Sequence, residues 1–124
     1  MYLVMPMYGL CLQDVFESRK GQFTHESICS LGVQLINIFE RIHDAGYVFN
    51  DLKLDNLMFD VDANSQQLKK SKLNIFEKNN VNIIDFGYAT PYLLEDDKTH
   101  IKKSQLDEFH GNMIFSSLNH LMFQ

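Results

Sequence analysis

The feature that most constrains the fold of this chain is a polar turn held between two short apolar segments. The turn is Asp51-Leu52-Lys53-Leu54-Asp55-Asn56, and residues 47–49 and 57–59 are the apolar segments on either side. Further along, the mostly apolar residues 81–84 run directly into Asp85-Phe86-Gly87. Short apolar runs bounded by polar residues are typical of strands, so both polar groups are expected at strand ends.

The first turn carries residue types that suit phosphoryl transfer. Its Asp-Leu-x-x-x-Asn spacing matches half of the protein-kinase catalytic loop. That chemistry needs a carboxylate to accept a hydroxyl proton, a cation near the moving phosphoryl group and a side-chain oxygen for the metal. Asp51, Lys53 and Asn56 are of these three kinds. Taken alone, the match competes with an ordinary turn rich in Asp and Asn.

The second group, Asp85-Phe86-Gly87, is the strand-then-Asp-Phe-Gly signature of kinases. A carboxylate just past a strand end can bind Mg²⁺ that bridges nucleotide phosphates. Gly87 lets the backbone turn sharply after it. A lone Asp-Phe-Gly is a weak signal, but here it follows the first motif in the order that kinases require. The two motifs together indicate a kinase-like chain.

The flanking sequence narrows the family. Residues 4–9 and 12–16 resemble the hinge and the following helix of casein kinase I enzymes, and Ser117-Leu118-Asn119 is similar to that family's Ser-Ile-Asn. The chain thus resembles a casein kinase I-like serine/threonine protein kinase over nearly its whole length, apart from residues 60–80. The vaccinia-related kinases are the next most similar family.

The resemblance implies a role for each matching residue. Asp51 resembles the catalytic base and Lys53 the lysine that faces the transferred phosphate, while Asn56 and Asp85 resemble the ligands of Mg²⁺. The residues that would contact ATP are Met5, Pro6, Met7, Tyr8, Asp14, Met58 and Ile84. For the apolar members of that set, plain core packing is an equally open interpretation.

The expected fold class is α+β: a partial kinase fold with a mostly helical C-lobe, short β-hairpins and no N-lobe. We expect residues 1–124 to form one partial kinase domain, because no Gly-x-Gly-x-x-Gly loop, strand lysine or Glu-bearing helix precedes the hinge-like segment. Such a fragment is expected to be inactive alone. The alternative function is a non-catalytic, kinase-like interaction module.

The pattern of apolar residues places the main elements. Residues 2–5 are predicted to form a strand and residues 12–16 a short helix. Residues 27–44 carry apolar side chains at three- and four-residue steps, which predicts a long helix capped by Thr24, buried centrally beneath the catalytic loop. Residues 60–80 are mostly polar and are expected to form a long solvated loop.

Two departures from the family concern the catalytic loop and the activation segment. Phe49 and Asn50 stand where the family has His-Arg before the catalytic Asp, so Phe49 is expected to keep the packing against Asp-Phe-Gly without the polar bond. Asn112 replaces a Thr that normally bonds the catalytic Asp and Lys. Neither change removes the chemistry.

Bulk composition excludes several function classes. The net charge of −5 and the pI of about 5.4 argue against a nucleic-acid-binding surface. No apolar run approaches the roughly 18 residues of a membrane span. Cys11 and Cys29 are expected to be free thiols. The resemblance to casein kinase I implies a protein substrate and ATP as the partners, and we expect a cytoplasmic or nuclear location.

Overall fold

The structure is a computed structural model that describes residues 2–63, 65–71, 74–94, 99–101 and 111–122, without the side chain of His120. Its strands are β1 (Tyr8–Cys11), β2 (Tyr47–Val48), β3 (Leu57–Asp60), β4 (Val81–Ile83) and β5 (Thr90–Pro91). Its helices are α1 (Leu12–Ser18), α2 (His25–Asp44), α3 (Ser65–Lys70) and α4 (Leu118–Leu121), with 3₁₀ turns at Leu54–Asn56 and Met113–Phe115. This mixture confirms the α+β class.

The chain forms two compact units. The first comprises Met1–Ile36 and Leu54–Ile84, and the second comprises Asn37–Lys53 and Asp85–Gln124.

A three-stranded antiparallel sheet, in the order β1-β3-β4, organises the first unit. Leu57 pairs with Ile83 across β3 and β4, whereas the register between β1 and β3 shifts between Tyr8 and Cys11. A Cβ added to Gly9 would lie 2.7 Å from the carbonyl oxygen of Asp60, so the close approach of β1 to β3 needs a glycine here.

The strand predicted at residues 2–5 is wrong. These residues have no regular secondary structure, and the first strand starts later, at Tyr8. The side chains of Tyr2 and Val4 are 99% and 93% exposed. An apolar run becomes a strand only where a neighbour supplies hydrogen bonds and a surface to pack on, and β3 supplies these to residues 8–11.

Residues 60–80 are not the uniformly solvated loop that their polar composition predicted. Residues 65–70 form α3, and the side chains of Leu68, Ile75 and Phe76 are buried. The ring of Phe76 stacks on that of Phe59 with 5.7 Å between centroids. A few apolar side chains among many polar ones are enough to fix such a segment, because burying each stabilises the fold by about 1.5–3 kcal/mol.

Polar contacts fix the same segment to α2. The side-chain amide of Gln34 donates to the carbonyl oxygens of Phe76 and Asn79, at 2.9 and 3.2 Å. Its oxygen accepts from the N–H of Val81 at 2.8 Å. The Gln34 side chain therefore satisfies three backbone groups that the pairing of the strands leaves without a partner.

Helix α2 begins at His25, two residues before the predicted start, with Thr24 as the predicted cap. The Oγ1 atom of Thr24 accepts from the N–H of Ser27 at 3.1 Å, which satisfies one of the unpaired amides of the first turn. The pKa of Glu26 lies below its usual value, because its own backbone N–H and the hydroxyl of Thr24 donate to the carboxylate.

The expectation that α2 is a buried central helix is wrong for the part of the chain that the structure describes. Ser27 is its only buried residue. The apolar stripe is half-buried along Leu31, Leu35, Ile38, Phe39 and Ile42, and Ile28 is 58% exposed. Periodicity identified the face of the helix correctly, but it does not report how much of that face is covered.

The second unit is built around a two-stranded antiparallel sheet and the end of α2. Tyr47 pairs with Pro91 and Val48 with Thr90. The hydroxyl of Tyr92 donates to the carbonyl oxygen of His43 at 2.8 Å. Gly46, with φ of +87°, ends the helix in the left-handed conformation that glycine adopts most readily.

Among the described residues, no helix is both long and apolar enough to pass through a lipid bilayer. Cys11 and Cys29 are free thiols, as predicted.

Candidate active site

The loop that follows β2 holds Asp51 against Lys53. The Nζ atom of Lys53 lies 2.8 Å from Oδ2 of Asp51, and the Asp51 side chain is 4% exposed whereas that of Lys53 is 31% exposed. A buried carboxylate is costly unless it is paired and hydrogen-bonded. The structure therefore brings together the predicted base and the predicted phosphate-facing cation, in one loop of the second unit.

Asn56 ends the 3₁₀ turn that leads into β3, in the first unit. It is 4% exposed, and its carbonyl oxygen accepts from the N–H of Ile84 at 3.0 Å. This hydrogen bond lies where β3 begins and where β4 ends. The pairing of the two strands therefore fixes the backbone of Asn56.

Asp85 follows β4 and belongs to the second unit. It is exposed and has a φ of +62°, which is uncommon for a residue other than glycine. Its Oδ1 accepts from the N–H of Gly87 at 3.3 Å, so the carboxylate stabilises the turn that the motif makes. A Cβ on Gly87 would lie 3.2 Å from the same oxygen, so a larger residue here would require the Asp85 side chain to shift by a few tenths of an ångström.

Phe49 packs against the Asp-Phe-Gly motif. It is 2% exposed, and its ring meets that of Phe86 edge to face, with 5.2 Å between centroids. Phe39 of α2 lies on another side, 6.3 Å away. Aromatic pairs at this separation contribute about 0.5–1.5 kcal/mol beyond the area they bury. The expectation that Phe49 keeps this packing is confirmed.

The predicted metal ligands, Asn56 and Asp85, are placed one in each unit. Their binding to a single Mg²⁺ stays a prediction. Within the described parts of the chain, no three side chains of His, Cys, Asp or Glu are grouped to hold a metal. The expected site uses an amide and a carboxylate oxygen, and these are donors that Mg²⁺ prefers.

The residues predicted to contact ATP all lie in the first unit. Met5, Pro6, Met7 and Asp14 are exposed, whereas Tyr8, Met58 and Ile84 are half-buried. Met58 pairs with Cys11 across β1 and β3, so Tyr8 and Met58 share one small sheet. Their contact with a nucleotide stays a prediction.

Cys11 has a local structural role at the edge of this sheet. Its Sγ accepts from the N–H of Asp14 at 3.4 Å and caps α1. Burial raises the pKa of the thiol, because desolvation disfavours the thiolate. The thiol is therefore a cap and a packing group at neutral pH.

Sequence reasoning missed two residues that hold the catalytic loop. The side-chain amide of Asn50 donates to the carbonyl oxygen of Tyr88 at 3.0 Å and to Oγ1 of Thr90 at 2.9 Å. Gly111 lies so close that a Cβ there would overlap the carbonyl oxygen of Asn50. The available signal was the residue type, since Asn and Gly adopt positive φ most readily.

Asn112 is used differently from the expected contact with Asp51 and Lys53. Its Oδ1 accepts from the N–H of Ile114 at 2.9 Å and caps the 3₁₀ turn Met113–Phe115. Its carbonyl oxygen accepts from the hydroxyl of Ser116 at 2.7 Å. The amide thus stabilises the backbone that follows Gly111.

Comparison with known proteins yields casein kinase I homologs, although no protein-family model matches the chain. A probable casein kinase I homolog of Encephalitozoon cuniculi is 29% identical over 118 residues, which is 95% of this chain and 32% of the relative. Casein kinase I homologs of Kluyveromyces lactis and Saccharomyces cerevisiae are each 26% identical over 117 residues, 94% of this chain and 20% of each relative.

The chain is therefore similar to casein kinase I homologs over nearly all of its own length. It spans between a fifth and a third of the length of these relatives. The alignments support a partial kinase fold at the level of the family.

Proposed function

We propose that this chain carries the phosphoryl-transfer site of a serine/threonine protein kinase of the casein kinase I type. The observation that carries the proposal is the pairing of buried Asp51 with Lys53 at 2.8 Å. The similarity to casein kinase I homologs supports a protein kinase as the general class. The substrates would be ATP and a protein hydroxyl group.

In the proposed reaction, Asp51 accepts the proton of a serine or threonine hydroxyl. The hydroxyl oxygen bonds to the γ-phosphorus of ATP while the bond from that phosphorus to the β–γ bridging oxygen breaks, which releases ADP. Lys53 places its positive charge beside the transferring phosphoryl group, where charge develops in the transition state. The ion pair fits this arrangement because it holds the carboxylate close to that cation.

The donor atoms of Asn56 and Asp85 fit Mg²⁺. The carboxylate of Asp85 is exposed, and amide and carboxylate oxygens are hard donors suited to this ion. When bound, Mg²⁺ would neutralise phosphate charge. Asn56 would contribute its side-chain oxygen from a backbone fixed by β3 and β4, and Asp85 would contribute its carboxylate from a left-handed turn.

The proposed nucleotide site uses the first unit. Backbone groups of Pro6, Met7 and Tyr8 would face adenine, with Met5 at the back of the pocket and Asp14 near the ribose. Met58 and Ile84 are half-buried and would lie under the base and the phosphates. Exposed Met5 and Met7 offer apolar surface that an adenine ring would cover.

Transfer of radiolabelled phosphate from ATP to casein tests the proposal. It should be measured on the natural full-length polypeptide that contains these residues, as wild type, Asp85→Ala and Asp62→Ala. Asp62 is an exposed carboxylate in a turn and serves as the matched control. We expect Asp85→Ala to reduce transfer at least about 100-fold, because one metal-directed carboxylate is lost, and Asp62→Ala to keep it.

Two results would contradict the proposal. One is a wild-type polypeptide that binds Mg-ATP in calorimetry but transfers no phosphate, which would favour the non-catalytic interaction module. The other is equal transfer by wild type and Asp85→Ala. The 124-residue chain alone is expected to transfer little, since the sequence contains no Gly-x-Gly-x-x-Gly phosphate loop.

A further inference from the structure

Asn50 holds a strained turn directly before Asp51. Its φ is +64°, and the N–H of Asp51 donates to the carbonyl oxygen of Phe49 at 3.0 Å. A hydrogen bond between residues i and i+2 around a positive φ defines the rarer, strained form of γ-turn. Such a conformation persists only where the surroundings hold it. The backbone that carries Asp51 therefore needs support from its neighbours.

The side chain of Asn50 supplies that support. Its amide nitrogen donates to two acceptors, the carbonyl oxygen of Tyr88 and the hydroxyl oxygen of Thr90. Both acceptors follow Asp85-Phe86-Gly87 in sequence, and Thr90 is also paired with Val48 across β2 and β5. One amide thus joins the loop before Asp51 to the segment behind the Asp-Phe-Gly motif.

Gly111 packs against the backbone of Asn50. With φ of +101° and no Cβ, Gly111 lies against the carbonyl group of Asn50. Both side-chain bonds of Asn50 are made by a neutral amide to neutral oxygens.

We propose that Asn50 is a positioning residue: its amide fastens the segment after Asp85-Phe86-Gly87 to the loop that carries Asp51 and so keeps Asp51 in place. The catalytic part of this inference rests on the function proposed above. The structural part, that Thr90 and Asn50 together hold the turn at Asp51, stands on the contacts alone.

Backbone amide exchange, measured by NMR on the full chain, tests the structural part. Thr90→Val removes one acceptor, keeps the branched shape that suits β5, and leaves the sequence around Asp51 unchanged. Asn50→Gly removes the amide but keeps easy access to positive φ, so it separates the side-chain bonds from the backbone strain. Asn80→Gly, at an exposed loop position, is the control for the glycine substitution.

We expect the protection of the Asp51 amide to fall about tenfold in Thr90→Val, which is the size of effect that one net hydrogen bond produces. Asn50→Gly should lower it at least as much, and Asn80→Gly should leave it unchanged. The amide of Ala45, which donates to the carbonyl oxygen of Arg41 in the same unit as Asp51, reports on the stability of that unit and should keep its protection. Unchanged protection of Asp51 in Thr90→Val would overturn the proposal, even if Asn50→Gly unfolds the chain.

Steady-state kinetics of the full-length polypeptide test the catalytic part. Thr90→Val should lower kcat about tenfold, with an unchanged KM for ATP, because the variant misplaces Asp51 without touching the nucleotide site. Lower protection of Asp51 with an unchanged kcat would overturn the positioning role. A wild type with no transfer at all would refute the proposed function, whereas the exchange result would still decide whether Asn50 holds Asp51.

Discussion

In the catalytic loop, buried Asp51 is held by an ion pair, a strained turn and the neutral amide of Asn50. In the segment 60–80, which is just as polar in sequence, Leu68, Ile75 and Phe76 are buried in an apolar core. The conformation of the catalytic loop therefore depends on a few specific polar contacts, whereas that of the segment 60–80 depends on the apolar area that it buries. Polar composition therefore reveals neither how firmly a segment is held nor what holds it.

The largest expected effect comes from the apolar anchor of the segment 60–80. Phe76→Ala should lower the free energy of unfolding by about 3–4 kcal/mol, because it removes a buried ring that packs on Phe59 and Phe23. Urea denaturation of the full chain measures this change. Lys78→Ala, an exposed neighbour, should stay within about 0.5 kcal/mol of wild type. If Phe76→Ala changed the free energy of unfolding as little as Lys78→Ala, residues 60–80 would have to be interpreted as a solvated loop.

The next largest effects are expected at two glycines, Gly111 beside the catalytic loop and Gly32 on helix α2. Gly111→Ala should destabilise the chain by about 2–3 kcal/mol, because alanine is strained at φ of +101° and its Cβ would overlap the carbonyl group of Asn50. Gly32→Ala meets no atom within 4 Å on helix α2 and should stabilise the chain by about 0.5–1 kcal/mol. Thermal unfolding measures both changes, and a Gly111→Ala variant as stable as wild type would contradict the described backbone at Gly111.

The smallest effect concerns pH and the first turn of α2. The pKa of Glu26 is lower in the folded chain than its ordinary value of 4.5. The stabilisation is therefore present above the unfolded pKa and is lost as pH falls through the folded value. Glu26→Gln should remove a small part of the loss of stability below about pH 4.5, as measured by urea titrations at several pH values. Identical pH profiles for wild type and Glu26→Gln would contradict the lowered pKa of Glu26 in the folded chain.

Sequence was most informative where a motif or a helix end calls for particular residue types. The order and spacing of the motifs singled out Asp51 and Lys53, and the structure pairs these two side chains, while their catalytic roles stay predictions. Thr24 was recognised because the start of a helix needs a capping side chain. The packing of Phe49 on Phe86 was foreseen from the family resemblance, since Phe49 stands where the family has a His that packs against Asp-Phe-Gly.

Sequence was least informative where tertiary contacts decide. The apolar residues 2–5 have no strand partner among the described residues, whereas residues 8–11 pair with β3. In the sequence, Asn50 was noted only as the residue that stands where the family has Arg. Its left-handed backbone and the two acceptors of its amide are visible only in three dimensions. No signal in the sequence pointed to Gln34, whose side chain binds three backbone groups some 40 residues away in sequence.

The central claim is that Asp51 acts as the base, and single-turnover phosphate transfer by Asp51→Asn tests it most directly. The measurement should use the full-length polypeptide at saturating Mg-ATP, with Asp55→Asn as the control, since Asp55 is an exposed carboxylate in the same loop. The account predicts that Asp51→Asn slows transfer by about 100-fold or more, while Asp55→Asn stays close to wild type. Equal rates for wild type and Asp51→Asn would contradict it.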